Sequence, residues 1–221
     1  MEGEGVQQMF ITKFKFVPPP LIDVVFRQAR WNCRCKKVLL TIDDSPSPGT
    51  PRILDLLDQF EIRAAFFVNV PEDEKMKEMV REIDARGHLV CNHGMKHVKL
   101  NKLTPEMKAV QIVTSKEQLE EMLGKEVKFF RPPYGAFDLE IYNMVLESGQ
   151  TLVMWTLLTG DFLGDEKLAI SNVKKYLSRD SIVVMHDNAK SREVFAPTLE
   201  ALVKTVSKNE FILGEPEECL N

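Results

Sequence analysis

The chain has 221 residues, 44% of them hydrophobic, with 29 Lys and Arg against 33 Asp and Glu and a formal net charge of -4. That length supports one sizeable α/β domain, and the interspersed charges form neither a basic stripe for nucleic acid nor a polybasic patch for anionic lipid. No run reaches membrane-spanning length, and the start MEGEGV lacks the marks of a secretory signal.

Residues 1–36 break the pattern of the rest and read as an N-terminal extension packing on the domain that follows. Within them Pro18-Pro19-Pro20 is stiff and extended, and 21–31 can form a helix laid across the neighbouring structure. Cys33-x-Cys35 is too short for a zinc knuckle; with Cys91 and Cys219 it reads as buried or free thiols, the alternative being a disulfide from Cys219 to the N-terminal segment.

From Lys37 onward, β-branched and aromatic runs at 38–42, 64–70, 88–91, 127–130, 151–158, 181–185 and 211–213 alternate with amphipathic stretches at 51–60, 74–86, 105–123, 139–147, 166–177 and 197–207. Thr104-Pro105 has the form of a helix start, and Gly87, Gly124 and Gly149 stand where helices should stop. Strict β, α alternation predicts parallel pairing with right-handed crossovers, and seven strands predict an incomplete barrel over residues 37–221.

Five polar islands each follow an apolar run, so parallel strands would bring them to one end of the barrel. Asp43-Asp44 offers two adjacent carboxylates, one to bind a cation and the other to take a proton from water. His93 and His97, four apart, would share one face of a helical turn and reach one ion; with an oxygen from Asp44 they leave an open position, as catalytic zinc requires, although cobalt is also suited. Arg131-Pro132-Pro133-Tyr134-Gly135 is a rigid turn able to aim a backbone N–H at an oxyanion, and Arg131, leaving Phe129-Phe130, should meet a carboxylate. His186 ends the fifth run of the set, and Asp161 is placed to orient it and raise its pKa. Trp155 and Phe162 read as core or groove wall.

In this order the islands resemble the motifs of the polysaccharide deacetylases, carbohydrate esterase family four, over about residues 37–213. The resemblance implies a distorted (β/α) barrel with an open groove, and a zinc-dependent deacetylase that frees acetate and amine from N-acetylated amino-sugar polymers of chitin or peptidoglycan type. It implies Asp43 as catalytic base held by Arg131, Asp44, His93 and His97 as metal ligands, the Tyr134 N–H as oxyanion donor, and His186 as catalytic acid partnered by Asp161. A secreted or cell-surface monomer acting on polysaccharide or oligosaccharide is the corresponding expectation, with no nucleic acid partner and no membrane span. Ser45 stands where the family usually has Gly, Phe162 where it has Trp, and Leu158 where many members carry a further acid. Those departures motivate two alternatives: a catalytically impaired carbohydrate-binding protein on the same scaffold, and a hydrolase of another small amide.

Overall fold

The computed structural model describes residues 14, 15 and 20–221, so the start MEGEGV and Pro18-Pro19 lie outside the described residues. Seven strands, β1 (Leu39–Ser45), β2 (Ala65–Val68), β3 (Leu89–Asn92), β4 (Phe129–Phe130), β5 (Thr151–Leu152), β6 (Leu157–Leu158) and β7 (Ile182–His186), form one sheet in the order β5-β4-β3-β2-β1-β7-β6. Every pairing is parallel. The strands are apolar on both faces because both faces are covered.

The sheet must curl, for a reason of chain length. β5 and β6 occupy its two edges although only residues 153–156 lie between them. Seven strands laid flat would span about 29 Å from edge to edge, whereas five residue steps reach at most about 18 Å. Curling brings the edges together into the distorted, open (β/α) barrel that was expected.

Strand membership differs from expectation in two places. The run 151–158 is two strands, because residues 153–156 cross between the sheet edges. There Arg30 bridges to Val153, and the carbonyls of Val153 and Met154 accept from the Arg131 side chain, so a guanidinium replaces ladder partners. Residues 211–213 contribute only an isolated bridge between Val38 and Leu213. The predicted helix over 21–31 is likewise confined to α1 (Pro20–Val25). Beyond it the chain turns to place Phe26 edge-on to Phe137 and Tyr142, with ring centroids 5.0 Å apart in both pairs, and to bury Trp31. Aromatic burial prevails over continued helix.

The remaining helices are α2 (Thr50–Gln59), α3 (Glu74–Ala85), α4 (Pro105–Ala109), α5 (Ser115–Leu123), α6 (Leu139–Glu147), α7 (Glu166–Tyr176), α8 (Phe195–Lys208) and α9 (Pro216–Leu220). A π-helical turn at Val110–Thr114 joins α4 to α5. Thr104 caps α4 by accepting the Met107 N–H at 3.4 Å, and Gly124 ends α5 with φ 67°. Period two sorts the strands. Leu40, Ile42, Phe66, Val68, Val183 and Met185 pack outward under Leu54, Leu57, Ile83, Leu199 and Leu202. Leu39, Ala65, Phe67, Cys91, Phe129 and Ile182 fill the interior together with Cys33, Cys219 and Leu220. Four residues further along β1 and β7, the inward positions are polar: Asp43 and His186, which are register partners. No described helix is long and apolar enough to cross a membrane.

Candidate active site

β1 ends in an irregularity that decides where its two carboxylates go. The register with β2 shifts between Asp43 and Ser45, and Asp44 adopts φ 69°. Simple alternation would send Asp44 outward, under the helices; the bulge instead turns both carboxylates into the same cleft. The family's usual Gly corresponds to Ser45, yet the left-handed residue is Asp44. Ser45 is fully buried and donates to Asp187 Oδ2 at 3.1 Å, alongside Ser47 and Thr50, which donate to the same carboxylate. A serine is therefore accommodated without strain.

His93 and His97 converge through a bend rather than the expected helical turn, because Gly94 sits at φ 88°. Asn92 Oδ1 accepts the Gly94 N–H at 2.8 Å, and Gln111 Oε1 accepts the Lys96 N–H at 3.0 Å, which hold the bend. His93 Nδ1 faces the Arg131 carbonyl at 2.7 Å, so an Nδ1–H tautomer leaves Nε2 free to ligate. The Nε2 atoms of His93 and His97 lie 3.9 and 3.3 Å from Asp44 Oδ1. Among the described residues that oxygen is buried without a hydrogen-bond donor, while Asn188 donates to Oδ2 at 2.9 Å. A buried carboxylate oxygen that lacks a donor and faces two imidazole lone pairs is stabilised by a cation, and two nitrogens with one oxygen suit zinc. One ligand atom from each residue lies within 4.8 Å of the others, so the donor set fits one divalent ion.

Two further pairs flank this group and are biased in opposite senses. Arg131 is fully buried; its Nη1 donates to Asp43 Oδ1 at 2.6 Å and to Thr41 Oγ1 at 2.8 Å. Burial works to raise the Asp43 pKa, but the charge of Arg131, joined by His93 and His186, outweighs it and holds the carboxyl below its ordinary value. At His186 burial opposes the charged ring, yet Asp161, 2.8 Å from Nδ1, carries the pKa up to about 9. Asp161 also accepts the His186 backbone N–H at 2.7 Å, fixing ring and chain together. Asp43 is thus held ionised, and His186 protonated, at neutral pH.

The turn 131–135 follows β4. Its internal hydrogen bonds come from Gly135 and Ala136 rather than from Tyr134, whose φ is 61°. A Cβ on Gly135, at φ 63°, would lie 2.5 Å from the Trp155 ring. Gly135→Ala should therefore cost about 1–3 kcal/mol and displace Trp155, a change that urea unfolding together with tryptophan fluorescence would register; an unshifted midpoint and spectrum would contradict the packing.

Asp43, Asp44, His93, His97 and His186 open onto a cleft of ≈ 490 Å³ whose walls include Tyr134, Trp155, Leu158, Phe162 and Lys190, while Arg131 and Asp161 are fully buried beside Asp43 and His186. The structure brings together every residue named from the sequence. Phe162 packs on His186 with ring centroids 5.0 Å apart. Sequence reasoning missed Asn188 and the bracing role of Asp187; their only signal was position, on the loop immediately after His186 at a strand's C-terminal end.

The comparisons bear on the family and the fold. Residues 32–153 match the family model described as polysaccharide deacetylase. A peptidoglycan-N-acetylglucosamine deacetylase of Bacillus cereus is 34% identical over 137 residues, which are 62% of this chain and 50% of that protein. Among solved structures, a chitin deacetylase from Colletotrichum lindemuthianum superposes with a TM-score of 0.78 at 27% identity, covering 86% of this chain and 90% of that one. A peptidoglycan N-acetylglucosamine deacetylase crystallised with 4-naphthalen-1-yl-N-oxidanyl-benzamide gives 0.83 at 24% identity, with 92% and 97% covered, and supports the fold. This chain belongs to the polysaccharide deacetylase family. It spans half the length of the Bacillus cereus relative.

Proposed function

We propose that this protein hydrolyses N-acetyl groups on amino-sugar units of a chitin- or peptidoglycan-type polysaccharide, with Asp44, His93 and His97 as ligands of a zinc ion. The observation that carries this reading is the opposed bias of Asp43 and His186 across one cleft that also holds a three-ligand group. A divalent ion held there supplies Lewis-acid polarisation of the acetyl carbonyl and eases loss of a proton from water. Asp43, kept ionised by Arg131, accepts that proton. The Tyr134 N–H, unused by its own turn, stabilises the oxyanion, and His186 delivers a proton to the departing amine nitrogen. Aromatic and apolar walls at Tyr134, Trp155 and Phe162 suit a sugar face and an acetyl methyl.

Acetate release from N-acetylglucosamine oligomers and peptidoglycan fragments, measured with and without zinc, tests the reading. Absence of metal-dependent release from both substrates would overturn it. The accommodation of Ser45, and the direct packing of Phe162 on His186, favour an enzyme over an impaired binding protein.

The acid role of His186 has a pH signature. Its raised pKa means that the protonated form, and the stability it contributes, is fully present below about pH 6.5 and is lost as pH rises through about 9. The alkaline limb of kcat/KM should fall there. Asp161→Asn should move it down by about two pH units, and a limb that stays in place would remove Asp161 as the partner.

A further inference from the structure

The floor of the barrel, at the end of the strands opposite Asp43 and His186, carries a second group of metal-ligating side chains. Cys33 and Cys35 lie just before β1, and Cys219 lies in α9, 184 residues from Cys35 in sequence. Their sulfurs nevertheless converge: Cys33 to Cys35 is 3.1 Å, Cys35 to Cys219 is 3.3 Å, and all three lie within 4.8 Å of one another. The pair too closely spaced to hold an ion alone gains its third donor from the far end of the chain.

Backbone N–H groups of Cys35 and Lys37 point at the Cys33 sulfur, and the Lys37 ammonium, paired with Glu218, acts on Cys35 and Cys219. Gly214 passes so close that a Cβ there would lie 2.4 Å from Cys219 Sγ. Cys33 and Cys219 are buried while Cys35 is partly exposed, which leaves a path of entry. Three converging sulfurs, with backbone N–H groups aimed at one of them and an open approach, are the requirements of a soft-metal site.

We propose that Cys33, Cys35 and Cys219 bind a thiophilic d10 cation, Zn²⁺ or Cu⁺, that clamps the two ends of the chain across the floor of the barrel. Three sulfur–metal bonds form as the thiols release their protons to solvent; no oxidant is needed. Zinc would complete its tetrahedron with a solvent ligand, whereas Cu⁺ is satisfied by the sulfurs. Closing so long a loop constrains the unfolded chain strongly, so the ion acts on stability rather than on chemistry.

The test uses protein kept reduced, loaded separately with Zn²⁺ and with Cu⁺, and freed of excess metal. His93→Ala/His97→Ala, which lacks two of the three donors at the other site, should still retain one ion per chain, and adding Cys35→Ser should weaken retention by about a hundredfold or more. In otherwise unaltered protein, Cys35→Ser should lower zinc content from two ions to one, which keeps the test open if the histidine variant does not fold. At a hundredfold excess over Kd, loading the histidine variant should raise its Tm by about 5–10 °C and adding Cys35→Ser should abolish that rise, whereas in otherwise unaltered protein Cys35→Ser leaves the acetate assay unaffected. Retention of neither metal by the reduced histidine variant, or equal retention with and without Cys35→Ser, overturns the proposal. So does recovery of the trio as a disulfide plus one thiol from protein that binds no metal when reduced.

Discussion

Zinc affinity should fall by two or more orders of magnitude when Asp44, His93 or His97 is replaced with Ala, and should persist when Asp43 is replaced with Asn. The contrast follows from geometry: Asp44 Oδ1 faces both imidazole Nε2 atoms, whereas Asp43 Oδ1 is engaged by Arg131. Removing a ligand leaves two donors, too few to hold the ion against water. Asp43→Asn keeps the side chain's shape but removes its basicity, so turnover should drop by about a hundredfold to ten-thousandfold while the metal stays. Calorimetric titration of metal-stripped protein, beside acetate release, reads both quantities. Because Cys33, Cys35 and Cys219 offer a separate set of donors, the titration is best analysed in a Cys35→Ser background. Equal affinity in that background with and without His97→Ala would refute the three-ligand site.

The second large effect concerns stability. Arg131 lies between β1 and the crossing segment, donating to Asp43, Thr41 and the carbonyls of Val153 and Met154, with its guanidinium 3.9 Å from the centroid of the Phe67 ring. Arg131→Met strands a buried carboxylate and should cost about 3–5 kcal/mol, or roughly 6–20 °C in Tm for a domain of this size. The sign of the pH dependence identifies the cause. In the unaltered protein Asp43 is held below its ordinary pKa, so its contribution is present above about pH 4 and is lost as pH falls further. Without Arg131, burial pushes the same carboxyl upward, so the variant's deficit should shrink on acidification as Asp43 takes a proton. Urea melts at pH 7 and pH 4 measure this, and a deficit independent of pH would mean that lost packing, not stranded charge, is responsible. Asp43→Leu/Arg131→Met should recover part of the loss at pH 7, since an apolar pair needs no partner.

Much of the site was legible because parallel β/α order places the ends of successive strands together, so polar residues ending apolar runs become neighbours without any knowledge of distance. Asp43, His93, Arg131 and His186 follow from that rule. The Asp161 to His186 pairing follows too, since β6 and β7 are adjacent. Less legible were features set by backbone detail: the bulge at Asp44, the bend at Gly94, and Asn188, whose contact with Asp44 spans 144 positions.

The sequence by itself determined the elements and their direction, because hydrophobic period, helix caps and glycine stops are local properties of neighbouring residues. It also determined which side chains gather at the candidate site. Only the tertiary structure decided that 151–158 splits between two sheet edges, that residues 211–213 stay outside the sheet, and that three cysteines from both ends of the chain share one floor. Each of those outcomes depends on how far the sheet curls, and curling is a collective property: it is set by packing on both faces at once and by the short reach of four connecting residues.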